Sequence, residues 1–200
     1  MTTFLRHRLR PAIALLVALT IVTGFLYPLA VTAVAQVAFP SQANGSFIQT
    51  ADGRDIGSSL IGQAFSQPRY FWSRPSAAGV TDTNPGGYDA NASAGSNLGP
   101  TNQKLIDRIT AQVDALRTAN GDKPIPVDLV TTSASGLDPD ISPAGADYQV
   151  ARVAKARGMS EADIRAAVAR HTEQPFLGFI GQARVNVLLL NLDLDRLLAH

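Results

Sequence analysis

A single long apolar run dominates the hydropathy pattern of this chain. No charged side chain lies between Arg10 and Asp52, and residues 11–39 are almost wholly apolar. About 28 helical residues reach roughly 42 Å, which exceeds the thickness of about 30 Å of a bilayer's hydrocarbon core. We therefore predict a transmembrane helix over 11–39. Pro28 lies near its middle and cannot donate a backbone hydrogen bond, so it predicts a kink in the helix.

Beyond residue 40 the apolar residues occur at helical spacing or in short runs. Three stretches with apolar residues every three or four positions predict helices: 102–120, 143–157 and 161–171. Thr101 or Asn102 can cap the first, and Ser142 and Ser160 can cap the other two. Three short apolar or β-branched runs predict strands: 46–50, 127–131 and 184–191. A short terminal helix is predicted over 193–199. The predicted fold class is a single N-terminal transmembrane helix followed by an α/β domain of the α+β type.

Residues 73–102 are rich in Gly, Ser, Asn and Pro, a composition typical of a flexible linker. Aromatic residues precede this segment at Tyr70, Phe71 and Trp72, and Tyr88 interrupts it. Aromatic side chains bury large areas, so we expect them to hold the segment against a core or a partner.

The charges that flank the apolar run predict its orientation. Arg6, Arg8 and Arg10 precede the run, whereas the nearest basic residue after it is Arg54. Cytoplasmic flanks carry the excess of Lys and Arg, so the N-terminus is expected inside. The predicted organisation is a cytoplasmic tail over 1–10, a transmembrane helix over 11–39 and an extracytoplasmic domain over 40–200.

A cleavable signal peptide is the alternative to a retained anchor. Ala33-Val34-Ala35 has the small-x-small form that signal peptidase accepts, and cleavage there would leave Gln36 as the first residue. The apolar part of a signal peptide spans about 7 to 15 residues, and the run before Ala35 is longer than about twenty. The length favours a retained anchor.

Composition narrows the chemistry open to the outer domain. The chain has no cysteine, which excludes disulfides, thiol catalysis and thiolate metal sites. Three of its 17 basic residues precede the span, which leaves 14 against 16 acidic residues, and this balance argues against a nucleic-acid partner. Of the three histidines only His171 lies in a predicted helix, beside its apolar face, so we expect a structural histidine.

Two motifs begin like ligand-binding loops but lack essential residues. The segment 95–101 precedes a helix, as phosphate loops do, yet it has no lysine and Pro100 removes an amide donor. The segment 138–142 opens like a calcium loop, yet Pro143 stands where glycine is required and Gln149 where glutamate is. We expect structural turns at both, with no metal site and no stably bound cofactor.

Taken together, several blocks of the sequence resemble KdpC, the C subunit of the bacterial Kdp potassium pump. After the basic-flanked span these blocks are 74–76, 88–89, 93–102, 128–130, 135–139 with 141–143, and 184–188 with 190–191. The residues of these blocks that we take as partner-contacting or structural are Arg74, Pro75, Ser76, Tyr88, Asp89, Asn97, Asn102, Asp128, Asp138, Pro139, Arg184, Asn186 and Asn191.

The sequence departs from the family's pattern at two positions. Ala94 stands where the family has a glycine, and Asp140 stands where it usually has histidine. Alanine requires only a negative φ, and we expect Asp140 to lie in an exposed turn, so neither change threatens the fold. Gly95 and Gly99 are expected to visit positive φ.

The resemblance implies an accessory, non-catalytic subunit that stabilises the assembly of a high-affinity, ATP-driven potassium import complex in the bacterial inner membrane. The implied partners are a channel-like subunit, a P-type ATPase subunit and a small helical subunit, which together handle ATP and potassium. The family is described as a catalytic chaperone that raises the ATPase subunit's affinity for ATP, with the glycine-serine loop implicated. The loop residues that would contact nucleotide are Ser93, Gly95, Ser96, Asn97 and Gly99.

The predicted orientation places that loop on the face opposite to cytosolic ATP. We therefore expect an effect on ATP affinity to be indirect, through the transmembrane helix and the pump's conformational equilibrium. The alternative from another class is a membrane-anchored extracytoplasmic hydrolase, with Ser96 or Ser135 as nucleophile and His171 as base, or a binding protein. Neither serine lies in a G-x-S-x-G motif.

Overall fold

The structure of the chain, a computed structural model, describes residues 2–50 and 52–197. It divides into two compact units, one ending at Ile56 and the other beginning at Gly57. The first unit contains the long apolar helix, and the second is a mixed domain of helices and a small sheet. The predicted order, a helix that could span a membrane followed by a domain of helices and strands, is confirmed.

The N-terminal unit is built on one long helical segment. Helix α1 spans Thr2–Ile21, a π-helical turn spans Val22–Leu26, and α2 spans Tyr27–Ala38. The π turn immediately precedes the proline, which has no N–H to continue the regular pattern, and the kink expected at Pro28 stays a prediction. Residues 7–38 are long and apolar enough to cross a membrane, and none of their hydrophobic window is buried within the protein.

A short helix and a hairpin follow the long helix. Helix α3 spans Pro40–Ala43, β1 spans Phe47–Gln49 and β2 spans Asp55–Ser58, and the two strands form one small sheet. Gly53, in the turn between them, has φ +79°. The strand predicted over 46–50 and its turn at Gly53 are confirmed.

The second unit packs four helices around a three-stranded antiparallel sheet. The helices are α4 (Gln103–Asn120), α5 (Pro143–Arg157), α6 (Glu161–Arg170) and α7 (Val187–Leu197). The strands are β3 (Asp140–Ile141), β4 (Thr172–Glu173) and β5 (Arg184–Asn186), in the order β3-β5-β4. Val185 pairs with Ile141 on one side and with Thr172 on the other.

Side-chain caps begin three of these helices, as predicted. Asn102 accepts a hydrogen bond from the Lys104 N–H at 2.9 Å, and Ser142 accepts one from Gly145 at 2.9 Å. Ser160 likewise accepts one from the Asp163 N–H. Each cap satisfies a backbone donor that has no partner within the helix, which fixes where the helix begins.

The strand predicted over 127–131 is wrong. Val127–Leu129 form a single 3₁₀ turn. The Asp128 carboxylate accepts hydrogen bonds from Ser142 N–H at 2.7 Å and from its hydroxyl at 3.1 Å, which holds the turn. Leu129 is buried while Val127 is 70% exposed, so the run does not have the two-sided burial of a core strand.

The strand predicted over 184–191 is correct only for its first three residues. Strand β5 ends at Asn186, whose side-chain oxygen accepts a hydrogen bond from Leu189 N–H at 3.0 Å and caps α7. The apolar run that follows is buried on a helix rather than on a strand. Helix α7 therefore begins six residues before the predicted start at residue 193, and the predicted end at residue 199 lies outside the described residues.

The core of the second unit lies between the sheet and helices α4 to α7. Its fully buried members include Val150, Val153, Ile164, Val185, Leu190 and Leu194. Phe71, which is also fully buried, belongs to a segment without regular secondary structure. The predicted role of the aromatic residues as anchors is confirmed for Phe71.

Candidate functional site

Two irregular segments meet in the second unit and carry most of the motif residues. We call them the loop pair, residues 73–98 and 131–140. The Ser76 hydroxyl donates to the Gly136 carbonyl at 2.6 Å, and the Ser93 hydroxyl donates to the Ser135 carbonyl at 3.0 Å. Segment 73–98 has the composition of a flexible linker, but these hydrogen bonds attach it to a second loop far along the chain.

An ion pair joins the loop pair at its base. Arg74 Nη1 lies 2.6 Å from Asp138 Oδ2, and the two side chains are partly buried. The other Asp138 oxygen accepts a hydrogen bond from Asp140 N–H at 3.0 Å. The Tyr88 hydroxyl donates to the Arg74 carbonyl at 2.8 Å, and burial raises the pKa of Tyr88 to about 12, so this donor keeps its proton at neutral pH.

Gly136 makes the closest backbone approach within the loop pair. It has φ +68°, and a Cβ placed there would lie 2.6 Å from the Ala94 carbonyl oxygen and 2.8 Å from the Ala78 nitrogen. A Cβ on Gly95 would lie 3.1 Å from the Ala134 carbonyl oxygen. A Cβ on Gly99 would meet no atom within 4 Å.

The expectation that Gly95 and Gly99 visit positive φ is wrong. The left-handed position of this loop is Asn97, with φ +52°, a conformation that asparagine adopts more readily than most residues. Its side-chain amide donates to the Gly95 carbonyl at 3.2 Å. Ala94 has a negative φ, as expected for an alanine in place of a glycine.

Several other motif residues form internal hydrogen bonds that hold the second unit together. Asp89 accepts from Asn91 N–H at 2.9 Å and starts a 3₁₀ turn over Ala90–Ala92. The Pro139 carbonyl accepts from Val187 N–H at 3.0 Å, and the Asn186 side chain donates to the Ser59 carbonyl at 2.8 Å. Their contacts with a partner stay a prediction.

Polar side chains from α5 and α7 hold residues 68–72 in place. Asn191 accepts from Phe71 N–H at 2.8 Å and donates to the Phe71 carbonyl at 3.0 Å. Gln149 makes the same pair of contacts with Trp72, at 2.8 and 3.2 Å. Each buried side-chain amide bonds both the N–H and the carbonyl of one residue, as a neighbouring strand would do in a sheet.

Two arginines of α5 complete this clamp. Arg152 donates to the Pro68 and Tyr70 carbonyls at 2.6 and 2.9 Å, and its guanidinium lies 4.1 Å from the centre of the Trp72 ring. Burial lowers the pKa of Arg152 to about 10. Arg157, whose side chain is 1% exposed, donates to the Arg69 carbonyl at 2.7 Å. These contacts were not predicted from the sequence. The feature that could have predicted them is the presence of polar residues, Gln149 and Arg152, beside the apolar Val150 and Val153 in α5.

A charged cavity of about 400 Å³ lies beside β3 and β5. Asp140 lies within β3 with a side chain that is 21% exposed, so the prediction of an exposed turn is wrong. Its carboxylate lies 3.3 Å from Arg184, which also binds Glu173 at 2.7 Å. Burial raises the pKa of Asp140, and the opposing effect of Arg184 does not cancel it.

Because the pKa of Asp140 is raised, we expect Asp140→Asn to stabilise the fold by an amount that depends on pH. A carboxyl whose pKa is higher in the folded state stabilises the fold when protonated, and that contribution is lost as pH rises through the folded pKa. Asp140→Asn should therefore raise the melting temperature at pH 7, and the gain should shrink at pH 3, below the ordinary value of 3.8. Exposed Asp82→Asn is the matched control, and an equal gain at both pH values for Asp140→Asn would contradict the assignment.

An open groove of about 540 Å³ runs along the loop pair and α4. Phe65, Trp72 and Tyr88 line it together with Ser96 and the Arg108 guanidinium. In the part of the chain that the structure describes, the buried Nε and Nη1 atoms of Arg108 have no hydrogen-bond partner. The groove thus combines aromatic walls with an unpaired cation, which suits a polar or anionic group more than a purely apolar one.

The proposed hydrolytic residues are not brought together. His171 Nε2 lies 3.1 Å from Asp193 Oδ2 at the end of α6, and the Ser135 hydroxyl lies 3.4 Å from that of Ser133. Among the described residues, neither Ser96 nor Ser135 shares a hydrogen bond with His171. The same residues contain no cluster of three or more His, Asp or Glu side chains that could hold a metal ion.

The sequence matches the family described as KdpC, K+-transporting ATPase, c chain, over residues 9–196. A protein of Sorangium cellulosum named potassium-transporting ATPase KdpC subunit is 61% identical over 189 residues, which cover 94% of this chain and 96% of that protein. Proteins of the same name from Caulobacter vibrioides (strain NA1000 / CB15N) and Koribacter versatilis are 57% and 55% identical, over 187 and 191 residues. These matches cover 94% and 96% of this chain, and 92% and 95% of those proteins.

Proposed function

We propose, from the premise that this chain belongs to the KdpC family of K+-transporting ATPase subunits, that it raises the affinity of its ATPase subunit for ATP. The chain is an accessory subunit of a potassium import complex, which follows from its membership of the family. The remaining subunits in the proposal are a channel-like subunit, a P-type ATPase subunit and a small helical subunit. Potassium and ATP are handled by those partners.

The proposal places the second unit outside the cytoplasm. Its support is the charge asymmetry around the long helix, where three arginines lie within residues 6–10 and the next basic residue is Arg54. Residues 7–38 also expose their whole apolar window, which in water would be unfavourable and in lipid is not.

The observation that carries the proposal is the division of the chain into two compact units. The second unit is compact by itself, and the long helix is the covalent element that crosses the bilayer in the proposed topology. Cytosolic ATP cannot reach the loop pair in this topology. The effect on ATP affinity therefore acts through the helix, as a coupling between two pump conformations that contact the subunit differently.

The chain contributes no catalytic group in this proposal. His171 is paired with Asp193, and the Ser76 and Ser93 hydroxyls of the loop pair donate to backbone carbonyls within the unit. A nucleotide loop would need free backbone donors and a basic side chain beside the phosphates, and the segment 93–101 has no lysine or arginine. The ATPase chemistry belongs to the partner.

A pair of reporters fused after residue 200 tests the topology on which the proposal depends. A reporter that is active only outside the cytoplasm should give signal, and a reporter that is active only in the cytosol should give none. Replacing Arg6, Arg8 and Arg10 by glutamine should weaken this preference, because the basic flank sets the orientation. Signal from the cytosolic reporter on the unaltered chain would overturn the topology and the indirect route with it.

A further inference from the structure

The groove along the loop pair and α4 contains a cation that the protein itself leaves unpaired. Arg108, on α4, lines this groove, and its Nε and Nη1 atoms are buried. Within residues 2–50 and 52–197 these are the only buried side-chain nitrogen or oxygen atoms without a hydrogen-bond partner. A guanidinium stays charged and has several N–H donors, so leaving its buried donors without acceptors is unfavourable.

Three other arginines with buried or partly buried side chains do have partners. Arg152 and Arg157 of α5 donate to backbone carbonyls of residues 68–70. Arg74, which also lines the groove, forms an ion pair with Asp138. Among the described residues that line the groove there is no Asp or Glu. The groove therefore offers one positive charge, that of Arg108, to a ligand.

The aromatic walls of the groove are held in place by hydrogen bonds. The backbone N–H and carbonyl of Trp72 are both bonded to the Gln149 side chain, at 2.8 and 3.2 Å. The Tyr88 hydroxyl donates to the Arg74 carbonyl at 2.8 Å, and its backbone N–H donates to the Ser76 hydroxyl at 2.9 Å. A site with ordered walls loses little conformational entropy when a ligand binds.

We propose that this groove binds a small organic acid that carries a single carboxylate on an apolar body. The carboxylate pairs with Arg108, whose charge is delocalised over the whole guanidinium and therefore acts at the groove surface although two of its nitrogens are buried. The apolar body packs against Trp72 and Tyr88. The volume of about 540 Å³ lies within the range of about 300–1,000 Å³ that is typical of small-molecule sites.

Other ligands fit the groove less well. A phosphate ester carries up to about two negative charges at pH 7, and the groove has only one unpaired positive charge. A chloride ion or a single acidic side chain of another protein would pair with Arg108 but leave the aromatic walls in water. A neutral apolar molecule would cover the walls and leave the guanidinium without an acceptor. This inference is independent of the proposed effect on ATP affinity.

Trp72 provides a direct measurement, because it is the only tryptophan of the chain and lines the groove. The full-length chain in detergent is titrated with phenylacetate, with the uncharged phenylacetamide and with acetate. Phenylacetate should give a saturable change in tryptophan fluorescence. The other two should each need a concentration about tenfold higher or more, because one lacks the charge and the other the apolar body. An equal response to either control, or no saturable response to phenylacetate, would overturn the proposal.

A pair of variants on α4 tests the role of the guanidinium. Arg108→Gln should raise the Kd for phenylacetate by about tenfold or more, because a hydrogen-bonded ion pair is lost. Arg117→Gln is the matched control, since Arg117 lies on the same helix with a side chain that is 55% exposed and paired with Asp122. Its Kd should equal that of the unaltered chain.

The melting temperature of each variant shows whether the fold is kept. Arg108→Gln should not lower it, because the substitution removes a charge that no described protein group pairs. Equal Kd values for folded Arg108→Gln and Arg117→Gln would overturn the proposal. If Arg108→Gln did not fold, the comparison of phenylacetate with phenylacetamide on the unaltered chain would still decide whether the groove recognises the carboxylate.

Discussion

Gly136→Val is expected to lower the free energy of unfolding of the second unit by about 3 kcal/mol or more. Gly136 has φ +68°, which a β-branched residue rarely adopts, and its Cβ would lie 2.6 Å from the Ala94 carbonyl oxygen. Because the contact is with backbone on both sides, no flexible side chain can move away to relieve it. The two segments of the loop pair would have to separate.

Gly99→Val is the matched control within the same site. Its Cβ would meet no atom within 4 Å, and its φ is not positive, so the change should cost less than about 1 kcal/mol. Denaturant unfolding of both full-length variants, followed by far-UV circular dichroism, measures the difference. Equal free energies of unfolding for the two variants would mean that the two segments of the loop pair are not closely packed at Gly136.

The glycine that the structure makes hardest to replace is not one of those that the sequence points to. From the sequence, the glycines that precede α4 attract attention because they lie in a loop that resembles a ligand-binding one. The structure assigns the close approach to Gly136, in the other loop, and gives the left-handed conformation to Asn97. Sequence spacing reveals that a loop is rich in glycine, but only the partner backbone determines which glycine cannot be replaced.

Local signals predicted the helices well. Asn102, Ser142 and Ser160 each precede an apolar period and each caps a helix in the structure. These features depend on interactions within a few residues, so the sequence contains nearly all the information that they need. The same holds for the long apolar helix.

Apolar runs whose conformation depends on distant partners were predicted poorly. Residues 127–131 and 187–190 have strand-like composition, yet one forms a 3₁₀ turn and the other begins α7. In the first case the Asp128 carboxylate binds Ser142, and in the second Asn186 caps a helix. A short buried apolar run is compatible with either a strand or a helix, and polar contacts at its ends decide between them.

The polar clamp around residues 68–72 was not predicted, and it explains how an irregular segment can be buried. Backbone groups in a core normally find partners in a sheet or helix. Here Gln149 and Asn191 supply both donor and acceptor to Trp72 and Phe71. The sequence shows only polar residues on helices whose neighbours are apolar, and their partners lie 77 to 120 positions away.

The resemblance of the sequence blocks to one family, in order and over nearly the whole chain, predicted the family correctly. The residues of those blocks are used mostly within the second unit, as in the ion pair of Arg74 with Asp138 and the contacts of Asn186 and Asn191. The blocks therefore identify a fold as much as a binding surface.

A change in the affinity for ATP is the second large effect expected of this chain. An allosteric coupling between two sites typically changes an affinity by about 5- to 150-fold. We expect the apparent KM for ATP of the pump to fall at least fivefold when this subunit is present, with kcat changed by less than about twofold. A catalytic group would instead change kcat, by on the order of 100-fold or more.

The most direct test is ATP hydrolysis by the pump prepared without this chain and measured again after the full-length chain is added back. The content of the remaining subunits is matched in the two samples, and the Gly136→Val variant serves as a chain with a disrupted second unit. The account predicts a lower KM for ATP with the unaltered chain and a near-constant kcat. An unchanged KM in the reassembled complex, or a lower kcat without this chain at saturating ATP, would contradict it.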